Sequence, residues 1–390
     1  MKKLILLPLF FLLCAAAFGQ SAAQFYAEAK KTADANEQLK LLTKAIEKNP
    51  KFTAAYHLRG DIYRQRGSLK RALADYTQTI KLAPKDPFKY YARALAYMDQ
   101  KSYQPAADDL TAAIKLKNNY DDFYYWRAGA FMELEKYNEA LADIGKIKNK
   151  KPRRADIDML QARAQFYTYN YSAARRGFES ILDKDPGNAR ALFYLGRINY
   201  NNEMYDEAIS YFSKALNRDG AYIAALRARA AAYREIGEHQ SAIEDYTALI
   251  AIGPDFSIYN RRGLVYEDIN DFKAAAKDFG EAIALNPKWS IAYNNRGYAY
   301  LKLKDYKKAF EDLETALKLA PNLPTPHINM AGYYWTAKKD KKNMYKYLDL
   351  GFKYGYKDAD SLYEETQKGW MFKNINNTVE FRSFLSNYFK

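Results

Sequence analysis

Cysteine and histidine are almost absent from this chain of 390 residues. It has one cysteine, Cys14, and three histidines, His57, His239 and His327. The histidines have no carboxylate or hydroxyl partner at a spacing that suggests a catalytic triad or a metal site. A glycine-rich phosphate loop, an HExxH sequence and paired cysteines are also missing from the sequence. The sequence therefore predicts a protein that is not an enzyme, holds no metal and needs no cofactor.

Long apolar runs are also missing, apart from one short run at the N-terminus. Two lysines precede the apolar residues 4–18, and a small-x-small sequence ends at Gly19. This order is typical of a bacterial secretory signal, and the run is short for a membrane span of about 20 residues. We expect cleavage after Gly19, which leaves a mature chain in the periplasm or outside the cell, with no cysteine and no transmembrane segment. A lipoprotein modified at Cys14 is the alternative, although Leu13 stands where lipoprotein signals carry a small residue.

What the chain does have is a regular spacing of small residues. A glycine or an alanine recurs every 34 residues, except for one step of 33. A compact single domain does not need such a period, whereas a linear array of helical repeats does. These small residues are Gly60, Ala94, Ala128, Ala162, Gly196, Ala230, Gly263, Gly297 and Ala331.

Other residue types follow the same period. An alanine stands twelve residues after the small residue in eight of the nine repeats, and Asn343 breaks the series in the ninth. An aromatic residue commonly follows the small residue by three positions, and a proline or glycine closes most repeats. Each repeat therefore reads as a helix, a short turn, a second helix and a stop. The two helices can cross closely where both carry glycine or alanine.

These residues resemble the tetratricopeptide repeat (TPR) family, which has small residues at positions 8 and 20, aromatic residues near positions 4, 11, 17 and 24, and proline at position 32 of a 34-residue unit. The resemblance covers about residues 20–354. It implies an all-α fold, an α-solenoid in which antiparallel helix pairs form a right-handed superhelix. On this pattern, repeats 1 to 9 begin at Thr53, Pro87, Asp121, Ala155, Ala189, Ile223, Phe256, Ser290 and Pro324.

The ends of the chain follow the pattern less well than its middle. We predict a signal peptide at 1–19, a degenerate repeat at 20–52, eight repeats at 53–323, a degenerate ninth repeat at 324–354 and a helical cap at 355–390. Terminal repeats present one face to water where inner repeats bury a neighbour, so weaker patterns are expected there.

Arginine at position 7 and aspartate at position 23 are present together or absent together. The three repeats without the arginine, at Gln161, Leu195 and Met330, also lack the aspartate. This joint presence predicts an ion pair between the two helices of one repeat, and it assigns twelve charged residues to structure. The predicted pairs are Arg59 with Asp75, Arg93 with Asp109, Arg127 with Asp143, Arg229 with Asp245, Arg262 with Asp278, and Arg296 with Asp312.

The inner face of the first helices remains for binding. In the family that this chain resembles, this face lines a concave groove that holds an extended peptide or a partner helix. The middle repeats mix aromatic residues and arginines there, and these residue types dominate binding energy at interfaces. An asparagine ladder in repeats 7 and 8 has the donors and acceptors to clamp a peptide backbone. The predicted groove residues are Tyr91, Tyr125, Arg163, Phe193, Arg197, Tyr200, Arg227, Asn260 and Asn294.

The formal net charge is +15, and it falls to +13 when Lys2 and Lys3 leave with the signal peptide. A basic excess favours an acidic partner, and export argues against nucleic acid. The first hypothesis is a scaffold of the cell envelope that binds a protein or peptide in its groove. The alternative is a basic adaptor for an anionic envelope polymer or a membrane surface. The sequence leaves the partner and the oligomeric state open.

Overall fold

The computed structural model describes residues 20–149, 154–357, 372, 375 and 379–388. The predicted signal peptide with Cys14 lies outside these residues. The chain divides into two compact bodies, residues 1–186 and 187–390, which we call the N-terminal body and the C-terminal body. The regular secondary structure of the described residues is helical throughout. None of their helices combines the length and the apolar character that a membrane crossing requires.

Where the structure describes it, the N-terminal body consists of five helix pairs. Each helix contacts the next one along the chain, so each pair packs on its neighbour. Its helices are α1 (Ala22–Lys31), α2 (Ala35–Lys48), α3 (Thr53–Gln65), α4 (Leu69–Leu82), α5 (Pro87–Asp99), α6 (Tyr103–Leu116), α7 (Asp121–Glu133), α8 (Tyr137–Ile144), α9 (Arg154–Tyr167) and α10 (Tyr171–Lys184).

The described residues of the C-terminal body continue the same pattern with five more pairs and one further helix. Its helices are α11 (Ala189–Asn201), α12 (Tyr205–Arg218), α13 (Ile223–Glu235), α14 (His239–Ile252), α15 (Phe256–Asp268), α16 (Phe272–Leu285), α17 (Ser290–Lys302), α18 (Tyr306–Leu319), α19 (Pro324–Tyr333), α20 (Lys341–Lys353) and α21 (Val379–Leu385).

The helices begin where the sequence period places the repeats. The first helices of eight repeats start at the predicted first residues, and the first helix of repeat 4 starts one residue earlier, at Arg154. The turn between the two helices carries a residue with positive φ at position 15 of repeats 1 to 8, and only two of these residues are glycine. They are Gly67, Lys101, Glu135, Tyr169, Glu203, Gly237, Asn270 and Lys304.

In repeats 1, 5 and 7 the small residue lies where an aromatic ring of the second helix packs against the first helix, and in repeat 8 Gly297 faces the Leu313 side chain instead. A Cβ atom on Gly196 would lie 2.5 Å from the Phe212 ring, and one on Gly263 would lie 2.6 Å from the Phe279 ring. Both rings are fully buried. The glycines are therefore required by the close approach of ring and backbone, because any side chain would displace the ring.

Repeat 9 differs from the sequence prediction by a shift of one residue. Its first helix ends in a π-helical turn, Tyr334–Lys338, and the residue with positive φ is Lys339, at position 16. A π-turn accommodates one extra residue in a helix. The residue that occupies the small-residue site of the second helix is therefore Met344, which is fully buried, and not Asn343. The apparent break in the alanine series reflects this insertion.

The described part of the predicted C-terminal cap packs on repeat 9. Phe372, Ile375 and Phe381 are buried in one cluster with Phe352 and Met344 of the second helix of that repeat. Aromatic rings at the C-terminus thus cover apolar surface that a tenth repeat would otherwise bury. Trp370 and Phe389, which belong to the predicted cap, lie outside the described residues.

Candidate functional site

All six arginines at position 7 contact the aspartate of their own repeat. Each pair is bidentate, with Nε to Oδ2 distances of 2.7–2.8 Å. The aspartate side chains are only 4–8% exposed. Two parallel hydrogen bonds between a guanidinium and a carboxylate are strong and directional. These twelve side chains are therefore occupied in holding the two helices together.

Five of these arginines also reach the preceding repeat, a contact that the sequence analysis missed. Their Nη1 atoms donate to a serine or threonine hydroxyl on the second helix of that repeat, at 2.9–3.1 Å. Each guanidinium therefore joins three helices and links neighbouring repeats as well as the two helices of its own. The acceptors are Thr43, Thr77, Thr111, Ser213 and Thr247.

A cleft of about 760 Å³ lies in the C-terminal body, on the first helices of repeats 5 and 6. Its volume is in the range of pockets that bind ligands. Helices α11 and α13 supply most of the wall, the loop before α13 supplies the rim, and α15 contributes one side chain. The lining residues are Phe193, Arg197, Tyr200, Asn201, Phe212, Asp219, Ala221, Tyr222, Ile223, Ala224, Arg227, Ala228, Ala231 and Arg261.

Aromatic rings form the floor of the cleft. The Phe193 ring lies 5.9 Å from the Phe212 ring and 5.2 Å from the Tyr222 ring, between centroids. Phe193 is buried, with 8% of its surface exposed. Burial is also the main cause that raises the pKa of Tyr200, which lines the same wall. The apolar surface that remains open to a ligand is therefore mainly that of Tyr200 and Tyr222, which are half-buried.

Charged groups surround this aromatic floor. Arg197, Arg227, Arg261 and Asp219 are the charged residues of the lining, so three positive charges face one negative charge. The Arg197 guanidinium lies over the Phe193 ring, 5.9 Å from its centroid. Arg227 is exposed, and its charge helps to lower the pKa of nearby Asp255, after the larger effect of a hydrogen bond from Ser257.

The structure gathers four of the nine predicted groove residues in this cleft: Phe193, Arg197, Tyr200 and Arg227. The other groove residues lie elsewhere. Tyr91, Tyr125 and Arg163 belong to the N-terminal body, where all three are half-buried. The Tyr91 hydroxyl approaches Asp122 at 3.4 Å, and the Tyr125 ring packs edge-on against the ring of Trp126.

The prediction that the asparagine ladder is available to clamp a peptide is wrong. Asn260 and Asn294 are each only 6% exposed. The Asn295 amide donates to Asn260 at 3.0 Å, Asn294 donates to Asn295 at 3.1 Å, and Asn329 donates to Asn294 at 2.9 Å. The side chains thus form one continuous chain of hydrogen bonds across repeats 7 to 9. A buried amide needs such partners, so the ladder binds repeat to repeat.

Sequence reasoning also missed Arg261 as part of the cleft. It lies at position 6 of repeat 7, next to the positions assigned to the groove, and reaches the cleft from the third helix along the wall. Asp219 and Tyr222 were missed because they belong to the loop before α13. A search of position 6 as well as position 5 would have found the arginine, because neighbouring helices are rotated relative to one another.

The three histidines lie in three different repeats. His57 has a carboxylate neighbour that the sequence analysis did not name, because its Nε2 lies 3.9 Å from Asp61 Oδ2. Asp61 already accepts a hydrogen bond from Tyr76 at 2.7 Å, and burial lowers the pKa of His57. His327 is buried, with its Nε2 2.8 Å from the Pro321 carbonyl oxygen. Among the described residues, no group of three or more potential ligands could hold a metal ion.

Stacked helix pairs, inter-helix ion pairs and a cleft on the first helices define a helical-repeat protein. Family models described as tetratricopeptide repeat or TPR repeat match residues 60–101, 91–147, 159–223, 205–255, 256–289 and 290–323. The last two matches coincide with the boundaries of repeats 7 and 8. The chain belongs to the tetratricopeptide repeat family.

Several solved structures are similar to this chain. YrrB, described as a TPR protein with an unusual peptide-binding site, is 22% identical over 48% of this chain and 97% of its own, with a TM-score of 0.43. MamA from Desulfovibrio magneticus RS-1 is 19% identical over 44% and 97%, with a TM-score of 0.40. Yeast Tom70 is 15% identical over 88% and 94%, with a TM-score of 0.42. The comparison with curated proteins gave no significant match. The family membership rests on the repeat models.

Proposed function

We propose that this protein is a non-catalytic scaffold that binds an extended peptide or a helix of a partner protein in the cleft of repeats 5 and 6. The observation that carries the proposal is the cleft itself, in which an aromatic floor and arginines are presented together on a concave surface. Aromatic residues and arginine supply most of the binding energy at protein interfaces. The cleft residues Phe193, Arg197, Tyr200 and Arg227 are the ones to which we assign this role.

A steric block tests the role of the cleft without removing its core. Ala228 is half-buried and lines the cleft, so Ala228→Trp places an indole where a ligand would lie. Peptides are selected on the wild-type protein from a displayed library of random twelve-residue sequences, and their affinities are then measured by fluorescence anisotropy. We expect at least about tenfold weaker binding to Ala228→Trp, because a filled pocket excludes its ligand.

The matched control is Ala274→Trp, at a half-buried position on the second helix of repeat 7 that does not line the cleft. It should bind the selected peptides as the wild type does. Circular dichroism checks that both variants are folded. Equal binding by both variants would place the binding elsewhere and contradict the proposal, and so would a selection that enriches no peptide.

A second candidate function is a basic adaptor for an anionic envelope polymer or a membrane surface, and the net charge of +15, or +13 without Lys2 and Lys3, favours it. Attraction between exposed charges is screened beyond about 8 Å at physiological ionic strength. Co-sedimentation with phosphatidylglycerol vesicles should therefore be strong at low salt and lost at high salt if this function holds. Binding that is absent at low salt, or insensitive to salt, removes this candidate.

We place the protein in the periplasm or outside the cell, on the sequence of its first nineteen residues. Mass spectrometry of the mature protein from bacterial cell fractions tests this placement. The expected N-terminus is Gln20, in the periplasmic or culture fraction. An unprocessed protein in the cytoplasm would contradict export, and a mature chain that begins with a lipid-modified Cys14 would favour the lipoprotein alternative.

A further inference from the structure

The turns inside repeats 5 to 9 line one edge of the C-terminal body, because the first helix of each repeat ends there and the second begins. Contacts connect these turns in order. Arg234 Nη2 lies 2.9 Å from Asp268 Oδ1, between repeats 6 and 7. Lys302 Nζ lies 5.4 Å from the centre of the Phe272 ring, between repeats 7 and 8. We call this surface, residues 201–207, 235–241, 268–274, 302–308 and 336–342, the turn edge.

The charge of the turn edge changes sign along its length. In repeats 5 to 7 it has seven exposed carboxylates and one exposed lysine, and we call this part the acidic half. In repeats 8 and 9 it has seven exposed lysines, and we call this part the basic half. The two aspartates of the basic half, Asp305 and Asp340, are half-buried and cap α18 and α20. The acidic half of one molecule is therefore complementary in charge to the basic half of another.

The acidic half also presents apolar side chains. Met204, Ile236 and Ile269 lie among its carboxylates, with 44%, 37% and 43% of their surfaces exposed. Each comes from the turn of a different repeat, so the three form a row along the edge. Apolar side chains grouped on an exposed surface are typical of a site that another molecule covers.

The basic half contains a cavity of about 340 Å³ beside the π-helical turn of repeat 9. The rings of Tyr306, Phe310 and Tyr333 line it, together with the exposed Lys307 and Lys338. A cavity of this size has room for a side chain such as that of methionine or isoleucine. Aromatic rings next to lysines match apolar side chains next to carboxylates, so the two halves are complementary in apolar surface as well as in charge.

We propose that the turn edge is a self-association surface whose partner is a second copy of this chain. Both halves lie on one edge, so a two-fold rotation places the acidic half of each molecule on the basic half of the other. Both contacts form at once, and the association therefore stops at a dimer. Exposed ion pairs contribute little one by one, and burial of the apolar row adds to them.

The acidic half favours a second copy over an anionic polymer or membrane as the partner of the lysines. An anionic surface that approached the turn edge would meet seven carboxylates as well as seven lysines. Like charges repel, so such a surface matches only half of the edge, whereas a second copy matches all of it. This inference does not rest on the proposed function.

Sedimentation velocity over a range of protein concentrations tests the inference on the chain from Gln20, the predicted mature protein. We expect a monomer–dimer equilibrium at low ionic strength. The dimer should dissociate as salt is added, because exposed charges are screened beyond about 8 Å at physiological ionic strength. A protein that stays monomeric at low salt overturns the inference, and so does association that continues beyond the dimer.

Two variants with reversed charges connect the association to the two halves. Glu203→Lys/Asp206→Lys changes the acidic half, and Lys304→Glu/Lys307→Glu changes the same two positions of repeat 8 in the basic half. All four side chains are exposed. Each variant should associate at least about tenfold more weakly than the wild type, because the two-fold symmetry places every reversed charge in the dimer twice.

A mixture of the two variants supplies the complementary result. Mixed dimers regain attraction, so the mixture should associate more tightly than either variant alone. The two variants change the net charge in opposite directions, and net charge alone therefore cannot weaken both. A mixture that associates no better than its components overturns the inference, and so does association equal to that of the wild type in either variant.

A third variant tests the apolar row. Ile236→Ser/Ile269→Ser should also weaken the dimer about tenfold, because the apolar surface is no longer available for burial. The matched control is Ile252→Ser/Leu285→Ser, which removes two exposed apolar side chains at the C-terminal ends of α14 and α16, away from the turn edge. Circular dichroism checks that all variants are folded. Equal weakening by the control contradicts a specific surface and overturns the inference.

Binding to phosphatidylglycerol vesicles separates this inference from the second candidate function. The self-association inference predicts that Lys304→Glu/Lys307→Glu loses the dimer whether or not vesicles bind. If the wild type is monomeric and this variant loses only vesicle binding, the basic half serves an anionic surface and the inference is overturned.

Discussion

Gly280 occupies the place at which five other repeats supply a hydroxyl group to an arginine. In those repeats, Nη1 of the arginine at position 7 donates to a serine or threonine on the preceding second helix. Arg296 binds Asp312 but faces a glycine instead of a hydroxyl, and its side chain is 24% exposed, compared with 16–21% for the other five arginines. We predict that Gly280→Thr stabilises the protein by restoring the missing link.

The structure sets the size of the effect. A Cβ atom on Gly280 would lie 3.5 Å from Arg296 Nη1, so a hydroxyl on that carbon can reach the guanidinium without a clash. Thr111 and Thr247, at the same position of their repeats, also donate to the carbonyl four residues earlier, at 2.8 and 2.7 Å. A hydrogen bond to a charged group is worth about 1.5–3 kcal/mol, and partial exposure reduces this to about 1 kcal/mol.

Gly280→Val is the matched control for this prediction. Valine has the shape of threonine and a similar helix propensity, so the difference between the two variants isolates the hydroxyl group. Urea unfolding followed by circular dichroism gives the free energies of unfolding, and amide hydrogen exchange in α16 and α17 shows whether the gain is local. The free energy of unfolding of Gly280→Thr should exceed that of Gly280→Val by about 1 kcal/mol.

The same comparison in the Arg296→Met background identifies the partner of the hydroxyl. Without the guanidinium, threonine and valine should be equivalent at position 280. The reasoning fails if threonine gives no advantage over valine in the wild-type background, or if the advantage is unchanged after Arg296→Met.

Two further predictions concern buried charge. Arg127→Met should lower the free energy of unfolding by about 3 kcal/mol, because it leaves the buried Asp143 without its partner. Gln161→Met, at the same position of a repeat without the pair, should lower it by less than about 1 kcal/mol. Equal shifts of the urea midpoint in the two variants would contradict the structural role of the pair. Burial, reinforced by the Asp268 carboxylate, raises the pKa of Glu267 from 4.5 to about 7. Between these pH values the folded state binds more protons than the unfolded state. The free energy of unfolding therefore falls as the pH rises through this range. Glu267→Gln should remove this fall and stabilise the protein by about 2 kcal/mol at pH 8 but not at pH 4. If the free energy of unfolding depends on pH in the same way in the variant and the wild type, Glu267 titrates normally and the prediction fails.

Much of the fold can be predicted from the sequence because the two helices of each repeat pack together through the same kinds of contact. The small residues are required wherever a ring of the second helix meets the backbone of the first, as Gly196 and Phe212 show. The arginine at position 7 and the aspartate at position 23 vary together because either one alone would leave a charge without its partner. Such constraints repeat with the period of the structure and can be read without coordinates.

The candidate site was predictable only in part. The periodic pattern places Phe193 and Asn260 at the same position of their repeats, yet one forms the floor of a cleft and the other lies in a hydrogen-bonded ladder. The position of a residue within a repeat determines the direction in which its side chain leaves the helix. The neighbouring repeats determine whether that side chain remains accessible to a ligand. Arg261 joined the cleft from a neighbouring position for the same reason.

The sequence by itself determined the helix pairs, their boundaries and the six ion pairs, because each depends on residues at fixed spacing within a single repeat. The tertiary structure decided what depends on contacts between repeats: the hydroxyl partners of the arginines, the asparagine ladder, and the cleft of repeats 5 and 6. It also decided the register of repeat 9, where one extra residue in a π-turn places Met344 at the helix crossing. Contacts between repeats depend on how the helices are rotated against one another, and a period in the sequence does not specify that rotation.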